Sequence, residues 1–293
     1  MNKPKWISFL TVFLGGFGLS LNGMAETSFT HVPVWNRWET SFTSTMDYQK
    51  PAKDVVLSVD YTGPEGLTIH GYGFWDREKT FKIRCLFPKA GTWEWRTECS
   101  DPGNTGLHRQ QGTIQVTPYD GSNPLYQRGY IRISADSRYL EHNDGTPFLW
   151  IGDTAWAAPM NATFDEWKTY IQDRRAKNFS VIQIFCACRW AAEQNIRGIA
   201  PFLEKDISRL NPDYWQDYEN LVQYANEQGM VIAIVGLMEP LERYPNAEDA
   251  RVFARNLVSR LMGNFVIFSP SFDSSYTELG DVVGEEIRKT TPI

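Results

Sequence analysis

Residues 26–119 show the two-residue alternation of polar and apolar side chains that is typical of β-strands. Segments rich in Gly, Pro, Asn and Asp separate the runs, and no helical period occurs among them. Short strands at this spacing predict an antiparallel β-sandwich, followed by a linker at residues 120–129. The predicted strands are residues 32–42, 55–61, 67–69, 80–87, 92–99 and 113–117.

From residue 130 onward, apolar strands alternate with helices, after a short strand pair at residues 130–133 and 138–141. Strands that are nearly free of polar residues and are joined through helices predict a parallel sheet covered on its outer face. This pattern fits both a doubly wound sheet and a (β/α)8 barrel. The predicted strands are residues 148–151, 181–186, 231–235 and 265–268, and the helices are residues 164–177, 212–228, 248–262 and 279–289.

Local signals mark the ends of these helices. Thr163 and Glu166 have the spacing of a capping box, and Asn211 precedes a proline at the start of the next helix. Gly229 and Gly263 follow two helices at the position where glycine commonly ends them. The helix boundaries are therefore predicted independently of the apolar pattern.

Residues 146–293 hold four strand–helix units, half of the eight that a (β/α)8 barrel contains. We therefore expect residues 130–293 to form the amino-terminal half of such a barrel. The predicted fold class is multidomain β plus α/β: an antiparallel β-sandwich over residues 26–119, followed by an incomplete (β/α)8 (TIM-type) barrel.

Residues 1–25 have the three parts of a secretory signal peptide: a start with two lysines, an apolar run, and small residues before the cleavage site. A membrane anchor is the alternative, but the glycine-interrupted apolar run is short of the roughly 20 residues that span a bilayer. We expect a secreted or periplasmic protein with no membrane association after cleavage.

The charge and the aromatic content of the sequence indicate which classes of partner the protein binds. The 293 residues carry 29 Lys and Arg against 35 Asp and Glu, a net charge of −6, without a basic run. Nucleic-acid binding needs clustered cations, so no nucleic-acid partner is expected. The chain also contains 11 Trp residues, more than a core usually needs, which suggests that some of them contact a ligand.

The four cysteines are predicted to be buried thiols. A hairpin joining residues 80–87 to residues 92–99 would direct Cys85 and Cys99 to opposite faces, so a disulfide between them is not expected. Cys186 and Cys188 share a strand face at the far edge of bridging distance. They lack the second ligand pair of a zinc site, so no metal is predicted.

Charged and aromatic residues follow the predicted parallel strands at their carboxyl ends, where (β/α)8 barrels place their active sites. A carboxylic acid there can have its pKa raised by burial, as a proton donor requires. The alternative for each residue is structural, because Asp and Glu after strands also cap helices or pair with Arg. The candidates are Asp153, Trp156, Arg189, Trp190, Glu239 and Asp273.

The sequence lacks the motifs of several other enzyme classes. The sequence contains no Gly-x-Ser-x-Gly elbow, no Walker loop and no Gly-x-Gly-x-x-Gly segment after a strand. All four His residues precede residue 146, so residues 146–293 contain neither a His-based triad nor a His-rich metal cluster. No cofactor is expected. Carboxylates remain, and glycoside hydrolysis uses two of them. Trp156 and Trp190 are candidate walls of a sugar subsite, because indole rings stack on the apolar faces of sugars.

Several blocks resemble a known family. The segments Pro124-Leu-Tyr126, Tyr139-Leu-Glu-His-Asn-Asp-Gly-Thr-Pro-Phe148 and Leu149-Trp-Ile-Gly-Asp-Thr-Ala-Trp156 are similar to the opening of the apiosidase-like (β/α)8 glycoside hydrolases. Gly73-Phe-Trp-Asp76, Phe81-Lys-Ile-Arg84 and Pro88-Lys-Ala-Gly-Thr-Trp93 resemble the immunoglobulin-like β-sandwich that often precedes that barrel. The resemblance implies a secreted or periplasmic enzyme that acts on plant-type polysaccharides or glycan side chains.

The resemblance also implies roles for individual residues. Asp153 would line the sugar pocket and Asp273 would be the general acid/base, whereas the family nucleophile is a Glu on a later strand. We therefore expect a fragment that lacks the nucleophile half and is inactive alone. The alternative hypothesis is a non-catalytic carbohydrate-binding or adhesion protein that uses the β-sandwich and its exposed aromatic residues.

Overall fold

The structure is a computed structural model that describes residues 30–187, 193–237, 246–272 and 278–291. Its amino-terminal part contains two sheets. One has five strands in the order β1-β8-β7-β3-β4, and the other has three strands in the order β2-β6-β5. The strands are β1 (Thr30–Pro33), β2 (Arg37–Thr43), β3 (Leu57–Thr62), β4 (Thr68–Tyr72), β5 (Phe74–Arg77), β6 (Thr80–Leu86), β7 (Gly91–Cys99) and β8 (Gln111–Thr117).

The two sheets pack face to face over one apolar core, as the alternating pattern predicts. Trp93 and Ile114 of the larger sheet meet Trp38 and Phe81 of the smaller one, and all four side chains are buried. The pairing is not wholly antiparallel, because β1 runs parallel to β8.

The predicted hairpin between residues 80–87 and 92–99 is wrong. β6 pairs with β2 and β5, whereas β7 pairs with β3 and β8, so the connecting turn crosses from one sheet to the other. A turn-forming sequence at residues 88–91 is compatible with a hairpin and also with a crossing between sheets. The turn therefore does not determine which strands pair. Cys85 and Cys99 are buried free thiols in these separate sheets.

The second part of the chain contains a four-stranded parallel sheet in the order β12-β13-β14-β15. A small antiparallel sheet, β11-β10-β9, precedes it. The strands are β9 (Ile131–Ile133), β10 (Leu140–His142), β11 (Pro147–Phe148), β12 (Gly152–Thr154), β13 (Val181–Phe185), β14 (Val231–Val235) and β15 (Val266–Phe268). The helices are α1 (Pro51–Asp54), α2 (Pro124–Arg128), α3 (Ala158–Asn161), α4 (Phe164–Ala176), α5 (Pro212–Glu227), α6 (Ala247–Leu261) and α7 (Glu278–Thr290).

The helix predictions are confirmed to within about two residues, the usual uncertainty of helix ends, because the local signals act as expected. The Thr163 hydroxyl accepts a hydrogen bond from the Glu166 backbone N–H, and the Glu166 carboxylate accepts one from the Thr163 backbone N–H. Gly229 has a positive φ of 82° after α5. Gly263 does not have this conformation; a Cβ atom there would lie 2.6 Å from Cγ of Arg37, so glycine permits close packing instead.

The parallel sheet has two apolar sides. Ile182 and Ile232 point to the helix side, where they join the core formed with α4, α5 and α6. Val181 and Ala233 point to the opposite, inner side, where they pack with residues of the small antiparallel sheet. Among the described residues, no helix is long and apolar enough to cross a bilayer.

A buried cluster of charges joins the two parts of the chain. Arg84 of β6 donates to Glu219 of α5 at 2.7 Å, and Arg260 of α6 donates to Asp76 of β5 at 2.9 Å. Both guanidinium groups lie over the Phe74 ring, at 4.7 and 4.6 Å from its centroid. We call this the interdomain ion cluster, with members Arg37, Glu39, Asp76, Lys82, Arg84, Glu219 and Arg260.

Candidate functional site

Two of the six predicted site residues, Asp153 and Trp156, lie in the part of the chain that the structure describes. Arg189, Trp190, Glu239 and Asp273 lie outside the described residues, so their positions stay predictions. The strands that lead to those four residues are β13, β14 and β15, which are parallel neighbours. Their carboxyl ends therefore meet at one edge of the sheet.

The first strand of the parallel sheet begins later than predicted. Only Gly152–Thr154 pairs with β13, whereas Phe148 pairs with β10 in the small antiparallel sheet. Asp153 is thus inside β12 rather than after it. It stands opposite Ile182, whose side chain packs among the helices, so the Asp153 carboxylate lies on the helix side of the sheet.

The Asp153 carboxylate has three hydrogen-bond partners. It accepts from the Arg174 guanidinium at 2.7 Å and from the Tyr170 hydroxyl at 3.0 Å, both on α4, and from the Thr154 backbone N–H at 2.8 Å. Burial raises the pKa of Asp153, but these three partners together outweigh it and hold the pKa below its ordinary value. Asp153 is therefore ionised at neutral pH and suits charge pairing better than proton donation. Its contact with a sugar stays a prediction.

Arg174→Gln is expected to raise the pKa of Asp153, because the cation that favours the ionised carboxylate is removed. The pKa can be followed by the chemical shift of the Asp153 carboxyl carbon during an NMR titration. Lys177→Gln is the control, since Lys177 bonds Asp173 and does not touch Asp153. An unchanged titration curve in Arg174→Gln would contradict the assignment of Arg174 as a stabilising partner.

Three aromatic rings meet at the carboxyl ends of the strands. The ring centroids of Trp156 and Phe272 are 4.8 Å apart, those of Phe185 and Phe272 are 5.2 Å apart, and those of Trp156 and Phe185 are 5.3 Å apart. Phe185 is buried, Trp156 is half-buried, and Phe272 is 37% exposed. We call these three residues the strand-end aromatic cluster. It offers a partly exposed apolar surface of the kind that stacks on a sugar ring.

The sequence predicted Trp156 as a site residue, but it did not lead to a prediction for Phe185 or Phe272. Phe272 directly precedes Asp273 after the fourth parallel strand, so its position relative to a strand end was an available signal. Phe185 is the last residue of β13, and its backbone N–H donates to the Trp156 carbonyl at 3.0 Å. This hydrogen bond ties the segment after β12 to the end of β13.

Two polar side chains lie on the inner side of the parallel sheet. Thr154 of β12 stands opposite Gln183 of β13, and neighbouring residues in a parallel pair point to the same side. Gln183 is the single polar residue in the otherwise apolar β13, which was a further signal available in the sequence. The two side chains can exchange hydrogen bonds with sugar hydroxyl groups. Within the described ranges, no group of three or more His, Cys, Asp or Glu residues could hold a metal ion.

Comparison with known proteins gave two family matches. The apiosidase-like catalytic-domain family matches residues 134–292, and a domain family of unknown function, DUF5060, matches residues 31–100. The first match contains the parallel sheet, and the second contains most strands of the amino-terminal sheets. A search of curated proteins found no match.

Solved structures share the fold at low sequence identity. A candidate glycoside hydrolase from Bacteroides vulgatus is similar with a TM-score of 0.75 and 18% identity, covering 90% of this chain and 54% of that one. A glycoside hydrolase family 5 protein from Bacteroides vulgatus is similar with a TM-score of 0.51 and 23% identity, covering 59% of this chain and 39% of that one. This chain thus covers just over half the length of the first protein and about two fifths of the length of the second.

Proposed function

Because the chain belongs to the apiosidase-like catalytic-domain family, we propose that it is a secreted glycoside hydrolase-like protein that binds plant-type polysaccharides or glycan side chains. The fold is that of glycoside hydrolases. The observation that carries the proposal is the strand-end aromatic cluster, placed where hydrolases with parallel strands bind their substrates. We assign the amino-terminal sheets as an immunoglobulin-like domain over residues 26–119 and residues 1–25 as the signal peptide.

The proposal treats the parallel sheet as the amino-terminal half of a (β/α)8 barrel. Four parallel strands in sequential order, with helices packed on one side, are the arrangement that half of such a barrel requires. Glycoside hydrolysis needs a second carboxylate besides the proton donor. The family resemblance assigns that second carboxylate to a Glu on a later strand, so the donor role proposed for Asp273 is one half of the catalytic pair.

Within this mechanism Asp273 is the proposed general acid/base. It follows Phe272, whose ring packs against Trp156 and Phe185, so the residue before the acid has a fixed position at the strand ends. The proposal requires that the bound glycan present its glycosidic oxygen to Asp273. Asp273 would protonate that oxygen as the bond to the sugar breaks.

The test measures binding and hydrolysis separately. Trp156→Ala is expected to weaken the binding of a plant-type oligosaccharide about tenfold, a loss of about 1.4 kcal/mol, because it removes apolar indole surface that the sugar would cover. Binding is measured by isothermal titration calorimetry against a panel of such oligosaccharides. Phe164→Ala is the control, because Phe164 is an exposed aromatic residue of α4 outside the cluster.

Asp273→Asn tests the chemical role. In a preparation that hydrolyses the glycan, this change is expected to lower kcat by about 10²–10⁴-fold, as for the loss of a general acid, and to leave saccharide binding unchanged. Unchanged hydrolysis would remove Asp273 from the role. Unchanged binding in Trp156→Ala would favour the alternative function, carbohydrate binding by the amino-terminal sheets.

A further inference from the structure

The connection between β13 and α5 ends in a folded segment, residues 201–211, which we call the β13–α5 hairpin. Phe202 pairs with Leu210 in an antiparallel bridge, which closes the segment on itself. The Pro201 carbonyl accepts a hydrogen bond from the Trp215 indole N–H at 2.9 Å, which attaches the segment to α5. The hairpin therefore has a defined shape and a defined place on the helix.

The same connection starts at the strand-end aromatic cluster, because Phe185 is the last residue of β13. Farther along, the Asn195 side chain donates to the Asp217 carboxylate of α5 at 3.0 Å. Asn195 also borders a hollow of about 240 Å³ together with Pro159 of α3, and α3 begins two residues after Trp156. The connection thus runs beside the segment that carries the indole ring of the cluster.

The tip of the hairpin contacts the amino-terminal part of the chain. The Lys50 ammonium donates to the Asp206 carboxylate at 2.6 Å and to the Ser208 hydroxyl at 3.3 Å. The Asp206 carboxylate also accepts from the Ser208 backbone N–H at 2.9 Å, so it stabilises the turn and binds Lys50 at once. Burial raises the pKa of Asp206, but these bonds outweigh it and lower the pKa to about 2, so the carboxylate is ionised at neutral pH.

Lys50 is anchored on its own side, because it directly precedes α1, which packs into the core of the helices. Ala52 of α1 is buried in that core, and its carbonyl accepts from the Asn256 side chain of α6 at 3.2 Å. The Lys53 ammonium donates to Asp249 of α6 at 2.6 Å. Lys50 therefore reaches the hairpin from a base that is itself fixed.

We propose that Lys50 is a positioning residue for the saccharide site: by holding Asp206, it fixes the β13–α5 connection beside the strand-end aromatic cluster. The amino-terminal part of the chain thereby contributes to saccharide binding without touching the saccharide. The predicted site residues Arg189 and Trp190, outside the described residues, belong to the same connection by sequence. The inference rests on the proposed function, because the connection affects binding only if a glycan occupies the strand ends.

Lys50→Met in the full 293-residue chain tests the proposal with two readouts. Hydrogen–deuterium exchange of the backbone amides of residues 203–209 is expected to become about fivefold faster, as for the loss of a partly exposed ion pair. The dissociation constant of an oligosaccharide that the unaltered chain binds is expected to rise about threefold, since the effect on binding cannot exceed the stabilisation that the pair gives the connection.

Two further variants separate positioning from general stability. Lys50→Arg keeps the charge and should restore both the exchange rate and the affinity. Lys79→Met is the matched control, because Lys79 also lies in the amino-terminal part and pairs with a carboxylate, that of Asp47, away from the hairpin. It should change neither readout, and the urea midpoints of Lys50→Met and Lys79→Met should agree.

Unchanged exchange of residues 203–209 in Lys50→Met would overturn the assignment of Lys50 as the group that holds the hairpin. Faster exchange with an unchanged dissociation constant would overturn its role in saccharide binding. A failure of the proposed function is recognised separately, because the unaltered chain itself would then bind no oligosaccharide.

Discussion

Glu219→Gln is expected to destabilise the folded protein by about 3–5 kcal/mol, the usual cost of removing one partner from a buried ion pair. The Glu219 side chain is 3% exposed, and its carboxylate accepts hydrogen bonds from Arg37, Arg84 and Arg260. In Glu219→Gln, the buried Arg84 and Arg260 guanidinium groups lose the negative charge that balances their positive charges. Because these arginines lie on different parts of the chain, the loss affects the junction between the sheets and the helices.

Urea unfolding followed by circular dichroism measures this loss. Asp213→Asn is the matched control, because Asp213 also lies on α5 and pairs with Arg77 of β5, but both side chains are exposed. The control should cost less than about 1 kcal/mol, as exposed ion pairs do. Equal losses in the two variants would show that burial of the ion cluster does not matter for stability.

The same variant should change the pH dependence of stability. Burial raises the pKa of Glu219, but the charges of Arg84 and Arg37 outweigh it and lower the pKa to about 2, against 4.5 for the ordinary group. A group whose folded pKa is lowered stabilises the fold above its unfolded pKa, and this contribution is lost as the pH falls from 4.5 through about 2. Glu219→Gln should therefore lose less stability over that range than the unaltered protein.

Trp167→Ala is expected to destabilise the protein by about 3–5 kcal/mol, the range for deleting a buried aromatic side chain. The Trp167 side chain is fully buried in the core between α4 and α5. Its indole N–H donates to the Leu221 carbonyl of α5 at 2.9 Å. The substitution removes both the packing of a large ring and a hydrogen bond between the two helices.

Phe164→Ala is the control for this change, measured by the same urea unfolding. Phe164 is an aromatic residue at the first position of α4, but it is 45% exposed. Its ring contacts the Tyr224 ring and the Lys168 ammonium at the surface, so its loss should cost about 1–2 kcal/mol, well below the loss expected for Trp167. A small loss in Trp167→Ala, similar to that in Phe164→Ala, would contradict the assignment of Trp167 to the core.

The helices were readable from the sequence because their signals lie within a few residues of one another. The cap at Thr163 and the glycine after α5 mark helix ends through contacts inside the same turn. Phe253 and Leu257 are four residues apart on one face of α6, and both are fully buried, as a helical period of apolar residues predicts. The strands β13 and β14 were recognised in the same way, from apolar runs bounded by helices.

Strand pairing was not readable in the same way, because it joins residues that are distant in the sequence. Residues 80–99 have the composition of a hairpin, yet β6 and β7 enter different sheets, where each is flanked by two other strands. Residues 148–151 are apolar enough for a parallel strand, yet pairing with β13 starts only at Gly152. A local pattern shows that a segment can be a strand but does not choose its neighbours.

The candidate site also has some features that the sequence predicted and others that only the structure shows. The sequence alone supplied the family, the alternation of strands and helices, and Trp156 as a strand-end aromatic residue, since each depends on the order of residues along the chain. Only the tertiary structure decided that Asp153 points to α4 and that Phe185 and Phe272 join Trp156. The physical reason is that a one-residue shift in a strand moves a side chain to the opposite side of the sheet, and that shift is set by contacts with other strands.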